Sequence, residues 1–191
     1  MYGYPEKITK LVRYLENSVQ NKNIAWYLPR PKIDKYRGGM PLHCEKWLLS
    51  LAKELLQNDK PKILNLFCGM NKEGVRIDLN PNVFPDYLID AHEISKFITE
   101  LFDVILADPP YSNKEAKHLY PDINLPKLNY KKWTNECDKL LKKNGLLIVY
   151  NKMIMPNPNP NKFRLIKRVF IGHRIYHVPR VALFFKKIVD G

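Results

Sequence analysis

Five short apolar runs, each closed by a polar residue or bounded by glycine, constrain this chain more than any other feature. They are ILNLF (63–67), VRIDL (75–79), YLID (87–90), FDVILAD (102–108) and GLLIVYN (145–151). Runs this short and this rich in Ile, Leu and Val read as buried strands rather than helices. Helical periodicity lies beside them. Trp47, Leu48, Leu51, Leu55 and Leu56 share one apolar face, which Asp59-Lys60-Pro61 breaks. NYKKWTNECDKLLKKNG (129–145) reads as an amphipathic helix closed by Gly145 as its C-cap. Strands alternating with helices predict an α/β protein whose sheet is mostly parallel, with helices on both faces. Such sheets hold ligands beyond the carboxyl ends of their strands.

The flanks differ in texture. Residues 1–30 carry one amphipathic helical pattern, with Ile8, Leu11, Val12, Leu15 and Val19 at helical spacing, so 1–35 is expected to be a helical appendage to a main domain of 36–191. Towards the other end, RVFIGHRIYHVPRVALFFKK predicts two short strands around a Gly/His turn, an antiparallel hairpin at the sheet edge. MPNPNPN (155–161) is too rigid and polar for a helix or central strand and reads as a surface loop.

Charge narrows the partner. Lys and Arg number 32 against 19 Asp and Glu, a net charge of +13, which favours a polyanion: nucleic acid or an acidic membrane surface. Eight Lys/Arg and no Asp or Glu fall between Lys162 and Lys187. No apolar run approaches a membrane span, and the N-terminus has no signal-peptide core. Cys44, Cys68 and Cys137 are far apart, with neither C-x-x-C pairing nor zinc spacing. These features predict a cytoplasmic protein with reduced thiols and no metal site.

Chemistry concentrates where the strands end. The first run leads into Asn65-Leu66-Phe67-Cys68-Gly69, whose glycine lets a ligand approach the backbone. Asp78, ending the second, is placed to accept the hydroxyls of a ribose, and Asp90, after the third, to accept from an adenine amino group. The fourth ends in Asp108-Pro109-Pro110-Tyr111. Two prolines hold an extended turn and remove two N–H donors, so a carboxyl oxygen and a backbone carbonyl can stand together as acceptors. Such a pair suits an –NH2 group. Accepting both hydrogens localises a nitrogen lone pair that an aromatic ring otherwise delocalises. Tyr111 is expected to stack on the base.

These motifs together resemble the class I S-adenosylmethionine-dependent amino-methyltransferases, and most closely the DPPY-type DNA adenine N6 group in a small form without a target-recognition domain. NLFCG resembles the cofactor loop, RIDLNP the ribose-binding strand end, LIDAHE the adenine-contacting acid and ADPPY the catalytic tetrapeptide. KYRGGMPLHCEKWL resembles the segment that lies against the methionine end of the cofactor. The resemblance implies a Rossmann-like sheet and S-adenosyl-L-methionine as cofactor, bound by Tyr36, Asn65, Phe67, Cys68, Gly69, Asp78, Asp90 and Asp108. It implies catalysis by Asp108, Pro109, Pro110 and Tyr111. Ser112, Asn113, Lys114, Lys117, Arg174 and Arg180 are the expected nucleic-acid contacts. Two departures stand out: Asn65 occupies a position where the family carries an acid, and only Asn71-Lys72-Glu73-Gly74 separates the loop from the next strand, where a helix is usual.

The expected activity is methylation of a nucleobase amine, with adenine N6 in DNA favoured over an RNA base. The alternative from another class is a catalytically silent nucleic-acid-binding subunit. A short chain leaves little room for sequence recognition, which pairing with a second copy or a specificity subunit would supply.

Overall fold

The computed structural model describes residues 22–29, 39–172 and 178–189. Its strands are β1 (Asn23–Tyr27), β2 (Ile63–Leu66), β3 (Val75–Asp78), β4 (Tyr87–Leu88), β5 (Phe102–Ala107), β6 (Leu141–Asn151), β7 (Phe163–Gly172) and β8 (Arg180–Lys187). They form one sheet in the order β1-β7-β8-β6-β5-β2-β3-β4. β8 runs antiparallel to both of its neighbours, and the remaining pairings are parallel. The helices are α1 (Cys44–Leu56), α2 (Asn113–Leu119) and α3 (Tyr130–Leu140).

Burial explains the sequence texture. All four residues of β2 and all but Asp103 of β5 are buried, because these central strands are covered on both faces. On one face α1 presents Leu48, Leu51 and Ala52 to Val104, Leu106, Ile148 and Phe184. On the other, α3 presents Trp133, Cys137 and Leu140 to Leu64, Ile105, Leu147 and Phe185. The helices therefore flank both faces of a mostly parallel sheet, as the alternating pattern predicts.

Three local expectations need correction. Residues 23–27, included in the helical pattern, form β1, which pairs in parallel with β7 from Asn23↔Arg168 to Tyr27↔Gly172. Trp26 of that strand is buried and meets Trp47 of α1 edge to face at 5.5 Å, a contact that a local helical pattern cannot anticipate. The residues that carry the helical spacing, Ile8 to Val19, lie outside those described. β1 also takes the sheet edge, so the β7–β8 hairpin sits one strand inside it. Finally, Gly145 is not a helix cap. α3 ends at Leu140, Asn144 takes the left-handed conformation (φ 65°), and Gly145 lies within β6, where a Cβ would come 2.9 Å from the Asp103 carbonyl. The glycine serves close strand approach at an irregular stretch of the β5–β6 pairing.

The basic C-terminal stretch is partly structural. Lys162 and Lys187 converge on the Asp138 carboxylate, and Lys187, 2% exposed, also donates to the Asp138 and Leu141 carbonyls. Arg168 donates to the Asn23 side chain and so ties β7 to the edge strand.

Candidate active site at the strand ends

The strand order reverses between β2 and β5, and a cavity of about 860 Å³ opens beyond the carboxyl ends of the strands there. That is where an open α/β sheet accommodates a ligand, and the volume suits one of cofactor size. Phe67, Cys68 and Gly69 line it, as do Asp78, Asp90 and Asp108 through Tyr111.

Asp78 is held by its own turn. Its Oδ2 accepts from Gly69 N at 2.9 Å and its Oδ1 from Asn80 N at 2.9 Å. Burial raises its pKa above the ordinary carboxylate value, against the pull of those amides. Each oxygen keeps a lone pair for a hydroxyl donor.

Asp90 is aligned by a residue that motif reading passed over. His92, 5% exposed, places Nδ1 at 2.6 Å from Asp90 Oδ1, and its Nε2 is 2.9 Å from Asn129 N. A backbone N–H only donates, so Nε2 must accept and Nδ1 carries the proton that goes to Asp90. The neutral ring thereby ties Asp90 to Asn129, the residue that caps α3 through its bond from Lys132 N.

Asp108 follows β5, its backbone N–H donating to the Leu66 carbonyl. Its side chain accepts no hydrogen bond from any described residue. Burial holds its pKa well above the usual carboxylate range, against the nearby Arg180 guanidinium, while the charge of Asp78 adds to the rise. A half-buried acid that faces a cavity with no donor from the protein and a raised pKa marks a functional position.

Tyr111 is not a bare stacking platform. Lys152 Nζ and Arg180 Cζ each lie over its ring at 4.8 Å from the centroid, and Arg180 Nε donates to its hydroxyl at 3.0 Å. Lys152 is itself held by both oxygens of Glu115, at 2.7 and 2.9 Å. A base stacking on Tyr111 must share the ring with these cations. Tyr150, buried at the end of β6, completes this wall of the cavity.

The first loop is built differently from the family pattern. Asn65 is fully buried and does not line the cavity; its amide donates to Glu45 Oε1 at 2.9 Å and to the Glu73 carbonyl at 3.3 Å. Glu45, in the first turn of α1, does line the cavity and also accepts from the amides of Lys72 (3.3 Å) and Glu73 (3.2 Å). Burial raises its pKa, against those donors. The acid of this corner thus comes from α1. A carboxylate at 45, directly preceding a helical apolar face, is the only sequence signal for it.

The remaining expected residues divide. Asn113 lines the cavity and accepts from Leu128 N, whereas Ser112 caps α2 through its bond from Glu115 N and stands outside the lining. Lys114 and Lys117 are exposed on α2, away from the lining. Arg180 lies inside the cavity rather than on an outer basic face. Tyr36 and Arg174 fall outside the described residues. Cys44, Cys68 and Cys137 are free and buried. Among the described residues no helix is long and apolar enough to cross a membrane, and no cluster of three His, Cys, Asp or Glu is placed to hold a metal ion.

No protein-family model matches the chain, and no curated protein does. Solved structures do. The N-methyltransferase NodS from Bradyrhizobium japonicum, in complex with S-adenosyl-L-homocysteine, aligns with 14% identity over 92% of this chain and 97% of its own, at a TM-score of 0.53. A putative RNA methyltransferase from Pyrococcus horikoshii, PH1948, aligns with 14% identity over 98% of this chain and all of its own (100%), at 0.52. TrmN from Thermus thermophilus shows 18% identity over 72% of this chain but only 48% of its own length, at 0.49. With the sheet order and the single opposed strand, the likeness to the first two gives this chain the Rossmann-like fold of class I methyltransferases.

Proposed function

We propose that this protein transfers a methyl group from S-adenosylmethionine to an exocyclic amine of a nucleobase, with adenine N6 in DNA the favoured target. One observation carries the reading: Asp108, half-buried and without a donor among the described residues, opens on the same cavity as Asp78 and Asp90 and begins the tetrapeptide Asp-Pro-Pro-Tyr.

The residues present fit the cofactor. Asp78 retains acceptor capacity for ribose hydroxyls, Asp90 is oriented by His92 towards an adenine amine, and Gly69 (φ 50°) presents a left-handed turn to the cavity. Glu45 puts a carboxylate at the corner where an ammonium would lie. When bound, the cofactor supplies an electrophilic methyl on a sulfonium.

The chain's own residues prepare the nucleophile. Asp108 and the Pro109 carbonyl accept the two hydrogens of the amine, which localises its lone pair and aims it at the methyl carbon. With the cofactor bound, the amine nitrogen would take the methyl group while the sulfur would keep the electron pair of the broken bond. The surplus proton, acidic once nitrogen bears four bonds, passes to water. Among the described residues nothing donates to the Asp108 side chain, so its oxygens are available to the amine.

RNA is a second reading, supported by the end-to-end alignment with the putative RNA methyltransferase from P. horikoshii. Single-stranded RNA loops present unstacked bases, whereas a DNA duplex requires extrusion that costs a few kcal/mol. Mass spectrometry of nucleosides from DNA and RNA incubated with protein and labelled cofactor tests both. N6-methyldeoxyadenosine is expected, and its loss in Asp108→Ala with S-adenosylhomocysteine binding retained. Methylated nucleosides in RNA alone favour the second reading. Full activity in Asp108→Ala refutes the mechanism.

A further inference from the structure

Arg180 opens β8, the strand that runs against the sheet, so its starting end lies beside the carboxyl ends of β5 and β6. This topology carries one residue of the basic stretch into the reaction cavity. There Nε donates to the Tyr111 hydroxyl at 3.0 Å and Nη1 to the Val178 carbonyl at 2.8 Å. Both acceptors are neutral. Among the described residues no carboxylate forms an ion pair with this guanidinium, and most of its N–H donors remain unused. The neighbouring cation is different: Lys152 is neutralised by both oxygens of Glu115. Arg180 therefore brings an oriented positive charge, with Asp108 near it but no carboxylate in ion-pair contact among the described residues, to the wall that also carries Tyr111.

We propose that Arg180 anchors a phosphate of the nucleotide whose amine Asp108 holds, so that the unit recognised in the cavity is a nucleotide rather than a bare base or nucleoside. The planar guanidinium fork matches phosphate geometry and stays charged at any working pH. Its bond to Tyr111 leaves the fork fixed beside the tetrapeptide, so the phosphate contact and the amine contact are set by one rigid wall. Tyr111 then acts as a hinge-free post between the two subsites. This inference rests on the amino-methylation reading for what carries the amine, and on the cavity alone for the anion.

The test is calorimetric titration of protein saturated with S-adenosylhomocysteine, which blocks the cofactor's own adenosine site. AMP and adenosine are compared in wild type, Arg180→Gln and Arg180→Lys. Wild type is expected to bind AMP about tenfold more tightly than adenosine, as suits one charge-assisted contact. Arg180→Gln brings the two to parity and Arg180→Lys keeps part of the preference, with S-adenosylhomocysteine affinity unchanged in both. A dinucleoside monophosphate without a terminal phosphate separates the two sources of the group: its tighter binding assigns the subsite to chain phosphates, and tighter binding of AMP assigns it to free nucleotides. Parity in wild type, a preference that survives in Arg180→Gln, or no binding of any of these at about 10 mM overturns the proposal. Methyl transfer to nucleic acid, assayed in parallel, keeps the two readings apart. Transfer without the phosphate preference overturns the subsite alone, and the preference without transfer overturns the amino-methylation reading alone.

Discussion

Replacing Glu45 with alanine isolates the device that holds the shortened crossover. β2 and β3 are parallel neighbours joined by residues 67–74 alone, without a helix, where parallel strands usually need a dozen or so residues. The chain manages this with left-handed residues at Phe67, Gly69 and Gly74 and with the Glu45 carboxylate, which gathers Asn65 and the Lys72 and Glu73 amides. In Glu45→Ala, water replaces the lost acceptor at the two loop amides, which are exposed. Asn65 is fully buried, and its amide N–H group keeps only the longer bond to Glu73 O. One charge-assisted bond to a buried amide is worth about 1.5–3 kcal/mol, and relief of the buried carboxylate offsets part of it, so a loss of about 1–2 kcal/mol is expected. Urea unfolding measures that loss, and calorimetry with S-adenosylhomocysteine reads the loop, with a weakening of about tenfold expected. Glu45→Gln, which keeps one acceptor oxygen, falls between. The sign of the pH effect is fixed as well. Glu45 has a folded pKa above its unfolded value, so its favourable contribution is full below the unfolded pKa and is lost as pH rises through the folded one. Glu45→Gln removes that decline. Unchanged stability and unchanged cofactor affinity in Glu45→Ala would refute the role given to this carboxylate.

Three further outcomes follow from local geometry. Gly74→Ala drives a Cβ into the Ile63 carbonyl at a φ of 75°, and a loss of more than about 2 kcal/mol in urea unfolding is expected; a change under about 0.5 kcal/mol contradicts the close approach. His92→Phe removes both the donor to Asp90 and the acceptor for Asn129 N, so S-adenosylhomocysteine affinity drops about tenfold, while unaltered affinity shows that Asp90 needs no alignment. Burial pushes the Cys68 thiol up to about 12, and at pH 8 its alkylation by iodoacetamide, followed by peptide mass spectrometry, proceeds about a thousandfold more slowly in the folded protein than in urea. Equal rates exclude a buried thiol at the cavity floor.

Much of the sheet was readable because buried parallel strands announce themselves locally. The runs at 63–67, 75–79 and 102–108 match β2, β3 and β5 to within a residue; β2 and β5 are apolar on both faces, whereas β3 buries Ile77 alone. β1 was not readable. Five residues of mixed polarity become a strand only because β7 offers an unpaired edge and Trp47 offers Trp26 a ring. The end of α3 was misplaced because glycine signals both a helix cap and close backbone approach, and only the neighbouring Asp103 carbonyl tells which.

The site divides in the same way. Asp78, Asp90 and Asp108 could be named in advance because a strand end is a position along the chain, and the sheet converts that position into a place around one cavity. Glu45 and the inward turn of Arg180 could not, since each acts across elements far apart in sequence, and His92, only two residues from Asp90, has its ring fixed by the distant Asn129. Asn65 shows the limit most clearly. The sequence by itself determined the fold class and the Asp-Pro-Pro-Tyr turn, because local hydrophobicity and backbone restriction suffice for them. Only the tertiary structure decided where the charges of the cavity come from, because carboxylate and guanidinium groups are placed by packing and register, and the chain order of the residues carries neither.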